Sequence, residues 1–418
     1  MILHMKRLFH NGGDRFFSAF FLLFLLIFSS VNVVVHGSDV WEEIGSWDWS
    51  WGSLQDNLRA VETVLNEELL LRLPLIDAYG AVQLSMGKHE ENSFDNVKDK
   101  NGFLYSGNFW NGFGEDTKEL AMRTKRLQQL LEKKGTKFGV VLFPMKLVPQ
   151  DAAYIGIPYN DYTQEGNTFL AWIRYYNIPA LDLRTNWISS GLTQEEAFFK
   201  TDHHWTPVAA FYGYRELVGW MEDAFQTNIP NSAQVTDLSQ YHQVNYENTM
   251  LGSNGRKTGL LFAGGTETYP LLYPKTDGSY QLKEGKLDDF HVYEGSFVDA
   301  LLDIDFSIDT YSDYYDGQAE RVYLHSGVSD YVSIINTLQT SAPKLLLLRD
   351  SYATPVGAFL AQSFSQVDML WNLSYSEEEI VAYLEENTYD YVLLAMYPEN
   401  LQKNSFPFGT NVINSGGL

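Results

Sequence analysis

The stretch Leu345-Leu346-Leu347-Leu348-Arg349-Asp350-Ser351 constrains the fold of this chain more than any other. Four consecutive leucines leave no polar face for water, so they read as a strand buried on both sides. Strands of that kind belong to parallel sheets covered by helices. Shorter apolar runs at 138–144, 179–183, 366–371 and 389–395 repeat the signature. Amphipathic segments at 115–134, 164–177, 206–225 and 376–387 lie between them, and another helix is expected from about Ala353. Strand and helix alternate, which predicts an α/β fold with a mostly parallel central sheet.

The ends of the segments support the assignment. The helix at 115–134 is acidic at its start and carries Lys125, Arg126, Lys133 and Lys134 toward its end, in the sense of the helix dipole, with Gly135 as a C-terminal cap. Thr206 and Pro207 supply an N-cap and a first helical residue for 206–225. Leu54, Leu58, Val61, Leu65 and Leu69 give helical periodicity across 54–86, which Pro74 is expected to break. Residues 87–100 read as a loop, and Asn101-Gly102-Phe103-Leu104-Tyr105 as a turn into a short strand. Residues 226–342 are rich in Gly, Tyr, Asp and Thr with short alternating runs, and are expected to form a β-rich, irregular insertion in the α/β core.

Residues 16–35 are apolar and uncharged, and Lys6, Arg7 and Arg15 precede them. Twenty such residues can span a bilayer as a helix, with the basic flank on the cytoplasmic side. Val35-His36-Gly37 before Ser38 equally suits a cleavage site. Residues 1–37 are therefore expected to be a signal peptide or an N-terminal membrane anchor. Residues 38–418 would then lie outside the cytoplasm, anchored at the extracellular face of the membrane or secreted. Trp41, Trp47, Trp49 and Trp51 follow, suited to a membrane interface or to packing. The chain has no cysteine, which excludes disulfides, thiolate zinc sites and a cysteine nucleophile. A formal net charge of −24 argues against nucleic acid as a partner.

The residue types that carry chemistry concentrate in Lys200-Thr201-Asp202-His203-His204-Trp205-Thr206-Pro207. A carboxylate beside an imidazole fixes its tautomer and stabilises its protonated form. In an extended loop side chains alternate, so Asp202 and His204 are expected to point one way and His203 the other. Ser351 follows the leucine strand where a helix begins, a setting that exposes a hydroxyl beside free backbone N–H groups. The residues alone leave alternatives open. Asp350-Ser351 also suits a helix cap, and Asp202, His203 and His204 also suit metal ligation, although His89, His242, His291 and His325 supply no recognisable ligand spacing.

Asp202-His203-His204-Trp205 resembles the signature of the DHHW family and the Asp-x-His-Trp motif of alginate O-acetyltransferases with their SGNH hydrolase-like domain. Asn101–Tyr105 is similar to that family's leading strand, Val141-Leu142-Phe143-Pro144-Met145-Lys146 to its strand ending in Pro-x-Lys, and Arg349-Asp350-Ser351-Tyr352 to its nucleophile turn. The resemblance runs from about 54 to 400. It implies an SGNH hydrolase-like three-layer sandwich and a triad of Ser351 as nucleophile, His204 as base and Asp202 as orienter. It implies no metal and no cofactor. Tyr352, Arg256 and Lys146 become candidate substrate-binding residues, and Gly252–Arg256 a candidate loop near the site. The implied activity is O-acetylation of an exported polysaccharide, with a membrane-bound O-acyltransferase as acyl supplier. A carbohydrate acetyl esterase using the same triad and a non-catalytic glycan-binding protein are the competing expectations. For the last, Tyr269, Tyr273, Tyr280, Tyr293, Tyr311, Tyr314 and Tyr315 would offer stacking surfaces.

Overall fold

The computed structural model describes residues 12–47, 53–67, 69–91, 94–107, 116–146, 162–304, 308–325 and 329–410. The chain divides into two compact units, Met1–Ala78 and Tyr79–Leu418. In the first unit a 34-residue helix, Gly12–Gly45, runs through the boundary expected near residue 37, and Leu54–Glu67 forms a second helix. Asn32 Oδ1 accepts a hydrogen bond from Leu70 N at 2.8 Å. Among the described residues no helix is long and apolar enough to cross a membrane. The apolar run at 16–35 lies in Gly12–Gly45, and its Phe16, Phe20 and Leu26 are exposed. Trp41 is exposed as well, while Trp49 and Trp51 lie outside the described residues. The break in 54–86 falls before Pro74, not at it. The next helix spans Arg72–Ser85, so proline sits in its first turn, where no N–H is needed.

The second unit is built on an eight-stranded sheet. Its strands are β1 (Lys137–Leu142), β2 (Ala180–Asp182), β3 (Tyr280–Lys286), β4 (Asp289–Gly295), β5 (Tyr331–Asn336), β6 (Lys344–Arg349), β7 (Gln366–Trp371) and β8 (Tyr391–Met396). The spatial order is β2-β1-β8-β6-β7-β5-β3-β4. From β2 to β7 every pairing is parallel; β7-β5, β5-β3 and β3-β4 are antiparallel. The leucine run occupies the centre, with β7 and β8 on its two sides. Its side chains split by parity. Leu345 and Leu347 enter one core with Val141, Tyr214 and Phe359, and Leu346 and Leu348 enter another with Leu127, Phe169 and Ile380. Each buried leucine is worth about 1.5–3 kcal/mol relative to an exposed one. Helices on both faces make the expected three-layer sandwich.

Residues 226–342 are β-rich and irregular as expected, and part of the region joins the core sheet. β3, β4 and β5 lie in that region and extend the sheet, while Tyr241–Met250 and Glu267–Pro274 form a separate hairpin. Residues 87–100 hold two short strands, Glu90–Glu91 and Asn96–Lys98, which pair with each other; the second also pairs with Leu104–Ser106. The helix Pro207–Phe225 forms as expected, with Thr206 Oγ1 accepting from Ala209 N at 3.2 Å. After β6 the chain makes one 3-10 turn, Ser351–Ala353, before the helix Thr354–Leu360.

Candidate active site

Ser351 stands where the central strand β6 ends. Asp350, buried beside it, fixes the turn by accepting from Tyr352 N at 3.1 Å, Tyr397 N at 2.6 Å and Asn400 Nδ2 at 2.9 Å. Burial raises the Asp350 carboxyl above its ordinary value, against these donors. The preceding Arg349 is buried, donates to Ser329 O at 2.7 Å and lies over the Trp371 ring.

The loop before helix Pro207–Phe225 meets this turn from the side. His204 Nε2 is 2.7 Å from Ser351 Oγ, and His204 Nδ1 is 2.6 Å from Asp202 Oδ1. A carboxylate only accepts, so Nδ1 carries the hydrogen and Nε2 is free to accept from the Ser351 hydroxyl. Asp202 is fully buried. Its Oδ1 also accepts from His204 N at 2.8 Å, and its Oδ2 accepts from Ser253 N at 2.7 Å. Burial favours its neutral form, but His203 and His204 outweigh that and hold it well below the ordinary carboxylate range. For His204 burial works downward, and the charge and hydrogen bond of Asp202 leave it above 6.5.

The other parts of the pattern support the loop. Leu104 N donates to Lys200 O at 2.8 Å, so the Asn101–Tyr105 stretch lies against the chain before Asp202. Trp205 is buried, donates from Nε1 to Tyr352 O at 3.1 Å, and packs on Gly213. A Cβ at Gly213 would meet that indole at 2.6 Å. Gly252 is needed for the same reason, since a Cβ there would come within 2.3 Å of Asp202 Cβ. Gly252–Arg256 thus braces Asp202 through Ser253 N.

His203 departs from the expected alternation. Residues 201–204 are bent, with His204 N turned back onto Asp202 Oδ1, so the loop is not an extended strand. The two imidazole centroids are 3.8 Å apart, and His203 faces the same cleft, its Nδ1 3.2 Å from Ser253 Oγ. Burial, then the charge of His204, pushes its pKa down to about 3. Among the described residues Asp202, His203 and His204 are also the group whose donor atoms, within 4.8 Å of one another, could surround a metal ion.

The three residues expected to bind substrate are occupied elsewhere. Lys146 is buried and donates to Leu104 O, Lys200 O and Asp202 O at 2.7, 3.1 and 2.6 Å. Burial brings its ammonium down to about 8. The Tyr352 hydroxyl donates to His203 O, and its ring stacks on Tyr397 at 4.5 Å. Arg256 makes a two-pronged ion pair with Glu320, at 2.8 and 2.9 Å. None of the three lines the cleft at Ser351, a cavity of about 500 Å³. That cleft is walled by Trp205, Met250, Tyr269, Tyr323 and Trp371, with Glu320 and Arg321 opposite the loop. Glu320 is raised by burial and by the charge of Asp202. Nothing local in the sequence marked it, because it is 118 residues from Asp202. Of the seven tyrosines read as stacking surfaces, Tyr269 and Tyr280 are core residues, and Tyr293 stacks on His325 at 3.8 Å.

Residues 111–252 match the family model of the SGNH hydrolase-like domain of the acetyltransferase AlgX. Over this stretch, about a third of the chain, the sequence is similar to an SGNH hydrolase-like domain of an acetyltransferase. The solved structures of PatB1 agree on the fold. PatB1 of Bacillus cereus is 22% identical, over 75% of this chain and 99% of that one, with a TM-score of 0.57. The same protein with a sulfonyl adduct gives 20% identity, 75% and 97% coverage and 0.54. A DHHW family protein from Eubacterium siraeum is 17% identical, covering 74% of this chain and 93% of that one, at 0.49. No curated protein matches the chain. The matched residues include the loop that bears Asp202 and His204, while Ser351 lies outside them.

Proposed function

We propose that this protein is an exported O-acetyltransferase that modifies hydroxyls of a cell-surface or secreted polysaccharide through an acyl-enzyme on Ser351. The observation that carries the reading is the His204 ring held between Asp202 at 2.6 Å and Ser351 at 2.7 Å, at the edge of a cleft of about 500 Å³. In the first half-reaction Ser351 Oγ attacks the acyl carbonyl, and its proton passes to His204 Nε2. The bond from the acyl carbon to the donor breaks as that proton moves to the leaving group. In the second half-reaction the base His204 takes the proton of a sugar hydroxyl. The new ester forms, the Ser351 ester breaks, and the hydroxyl of Ser351 is restored. Asp202 keeps the imidazole oriented and stabilises its cationic form in both steps.

One feature favours transfer over hydrolysis: the matched family is that of an acetyltransferase. Export is supported by the exposed apolar side chains of residues 16–35, whose hydration is unfavourable unless the segment enters a bilayer or is removed. A membrane-bound O-acyltransferase is the acyl supplier this arrangement calls for.

The test uses the protein with an activated acetyl ester, with and without oligosaccharide acceptors, following the mass of the peptide bearing Ser351. Acetyl on Ser351 that moves to sugar supports the proposal. Acetyl released only to water makes the protein an esterase. Unchanged turnover by Ser351→Ala, or no labelling of Ser351 by either the acetyl donor or a sulfonyl fluoride, sinks the triad.

A further inference from the structure

Asp202 is set against His204 by a backbone that is itself gripped from two sides. Glu267, from the hairpin strand Glu267–Pro274, accepts from Lys200 N at 2.5 Å, Thr201 N at 2.7 Å and Thr201 Oγ1 at 2.6 Å. Lys146, four residues after β1, donates to the carbonyls of Lys200 and Asp202, and its third proton goes to Leu104 O. A carboxylate thus meets the N–H ends of these peptides and an ammonium meets their C=O ends. Thr201 extends the grip, because its Oγ1 also accepts from Gly252 N at 2.9 Å, next to the Ser253 N–H that holds Asp202 Oδ2. Neither charged group lines the cleft at Ser351. Their bonds are charge-assisted, of the stronger class, and all but the one to Leu104 O fall on Lys200–Asp202.

We propose that Glu267 and Lys146 form a charged clamp on the Lys200–Asp202 backbone that sets the distance between Asp202 and His204, making both positioning residues for acyl transfer. The inference rests on the triad reading given above. Its physical sense lies in how sensitive such sites are: a displacement of about 1 Å costs on the order of 100-fold in rate. A three-residue loop segment with no regular structure supplies no such precision by itself.

Glu267→Gln is the deciding variant. It keeps the shape of the side chain but replaces one acceptor by an NH2 group facing a backbone N–H. In the full chain it should lower kcat about 10- to 100-fold with KM within about twofold, on the scale expected for misplaced groups. The proton NMR signal of the His204 Nδ1–H, expected far downfield in the unaltered protein from its 2.6 Å bond to Asp202, should shift upfield or vanish in this variant. Glu267→Asp, which keeps the charge, should recover part of both. Lys146→Met should do the same as Glu267→Gln, and the double variant should be no worse than the worse single one, because the two act as one unit. A folded Glu267→Gln protein with unchanged kcat and an unchanged His204 signal overturns the clamp, and so do single effects that multiply in the double variant. If Lys146→Met does not fold, Glu267→Gln and Glu267→Asp decide the matter. The NMR signal separates the two proposals. A Ser351→Ala protein of full activity would end the triad reading, and the response of that signal to Glu267→Gln would still report on the clamp.

Discussion

The two walls of the cleft are built by different halves of the sheet. One wall, Asp202–Trp205 with Asp350–Thr354, hangs on the parallel half: β6 delivers Ser351 at its C-terminal end, and helix Pro207–Phe225 begins where the histidine loop stops. Here the groups that set geometry are buried and tied. Both oxygens of Asp202 are engaged, Asp350 accepts three N–H groups, and Trp205 is bonded and packed. The opposite wall, Asp316–Tyr323, follows the antiparallel strands β3 and β4 and is made of short 3-10 turns. Its Asp316 and Arg321 are exposed; Glu320 is held by Arg256, and Tyr323 at the end of the wall is buried and bonded to the Leu272 backbone. A fixed wall facing an open one is the division expected when one side performs the reaction and the other meets varied parts of a large acceptor.

Ser351→Ala and His204→Ala break the fixed wall most directly. Each should reduce acetyl transfer by at least about 10³-fold while the protein stays folded, by analogy with other triads. Donor turnover and circular dichroism on the same samples check this. Retained activity in either would mean that the short contacts to His204 are structural only.

Asp202→Asn should cost about 10²- to 10⁴-fold in kcat, since the imidazole loses its orienter. It also carries a sign. His204 must be neutral to act as base, so kcat/KM should rise with pH through a value above the 6.5 of an ordinary histidine. Burial alone pushes His204 down and Asp202 pushes it up. Removing that charge should therefore move the acid limb of the profile to lower pH. A limb that stays in place in Asp202→Asn would assign it to another group.

The open wall should respond differently. Arg321→Ala should raise KM for oligosaccharide about three- to tenfold and leave the rate of Ser351 acetylation by a small ester within about twofold, an effect of uniform binding. If Ser351 acetylation slows as much as transfer to sugar, the two walls are not functionally separate.

Much of the fixed wall was legible in the chain because it is encoded locally. The leucine run announces a central strand, and Thr206-Pro207 announces a helix start. Spacing also puts Asp202 and His204 within reach of each other. What the sequence hides depends on distant pairing. No residue in 280–295 says that its hairpin will extend the core sheet, since strand partners are chosen by the whole fold. Lys146 reads as a cation for substrate because its charge is visible while the three carbonyls that receive it are not. Glu267 and Glu320 sit 65 and 118 residues from Asp202 in a segment with no motif. An extended backbone would turn His203 away from His204, but the Asp202 side chain bends the loop onto itself and brings both rings to the cleft.

His203 is where the comparison is most exposed to failure, and its expected effect is the smallest. It lies on the fixed wall and faces the cleft, its Nδ1 3.2 Å from Ser253 Oγ and 3.7 Å from Asp202 Oδ1, farther than the 2.6 Å of His204. Burial and the neighbouring His204 keep its pKa near 3, so it stays neutral across the working range and adds no charge to the reaction. His203→Ala should then change kcat by no more than about threefold, with a modest rise in KM from lost contact area in the cleft. The competing outcome is specific. If His203→Ala loses as much activity as His204→Ala, and chelation followed by added zinc removes and restores the activity of the unaltered protein, then Asp202, His203 and His204 act together on a metal ion. Their donor atoms are close enough for that, and the fixed wall would then be a metal cradle with Ser351 as a bystander.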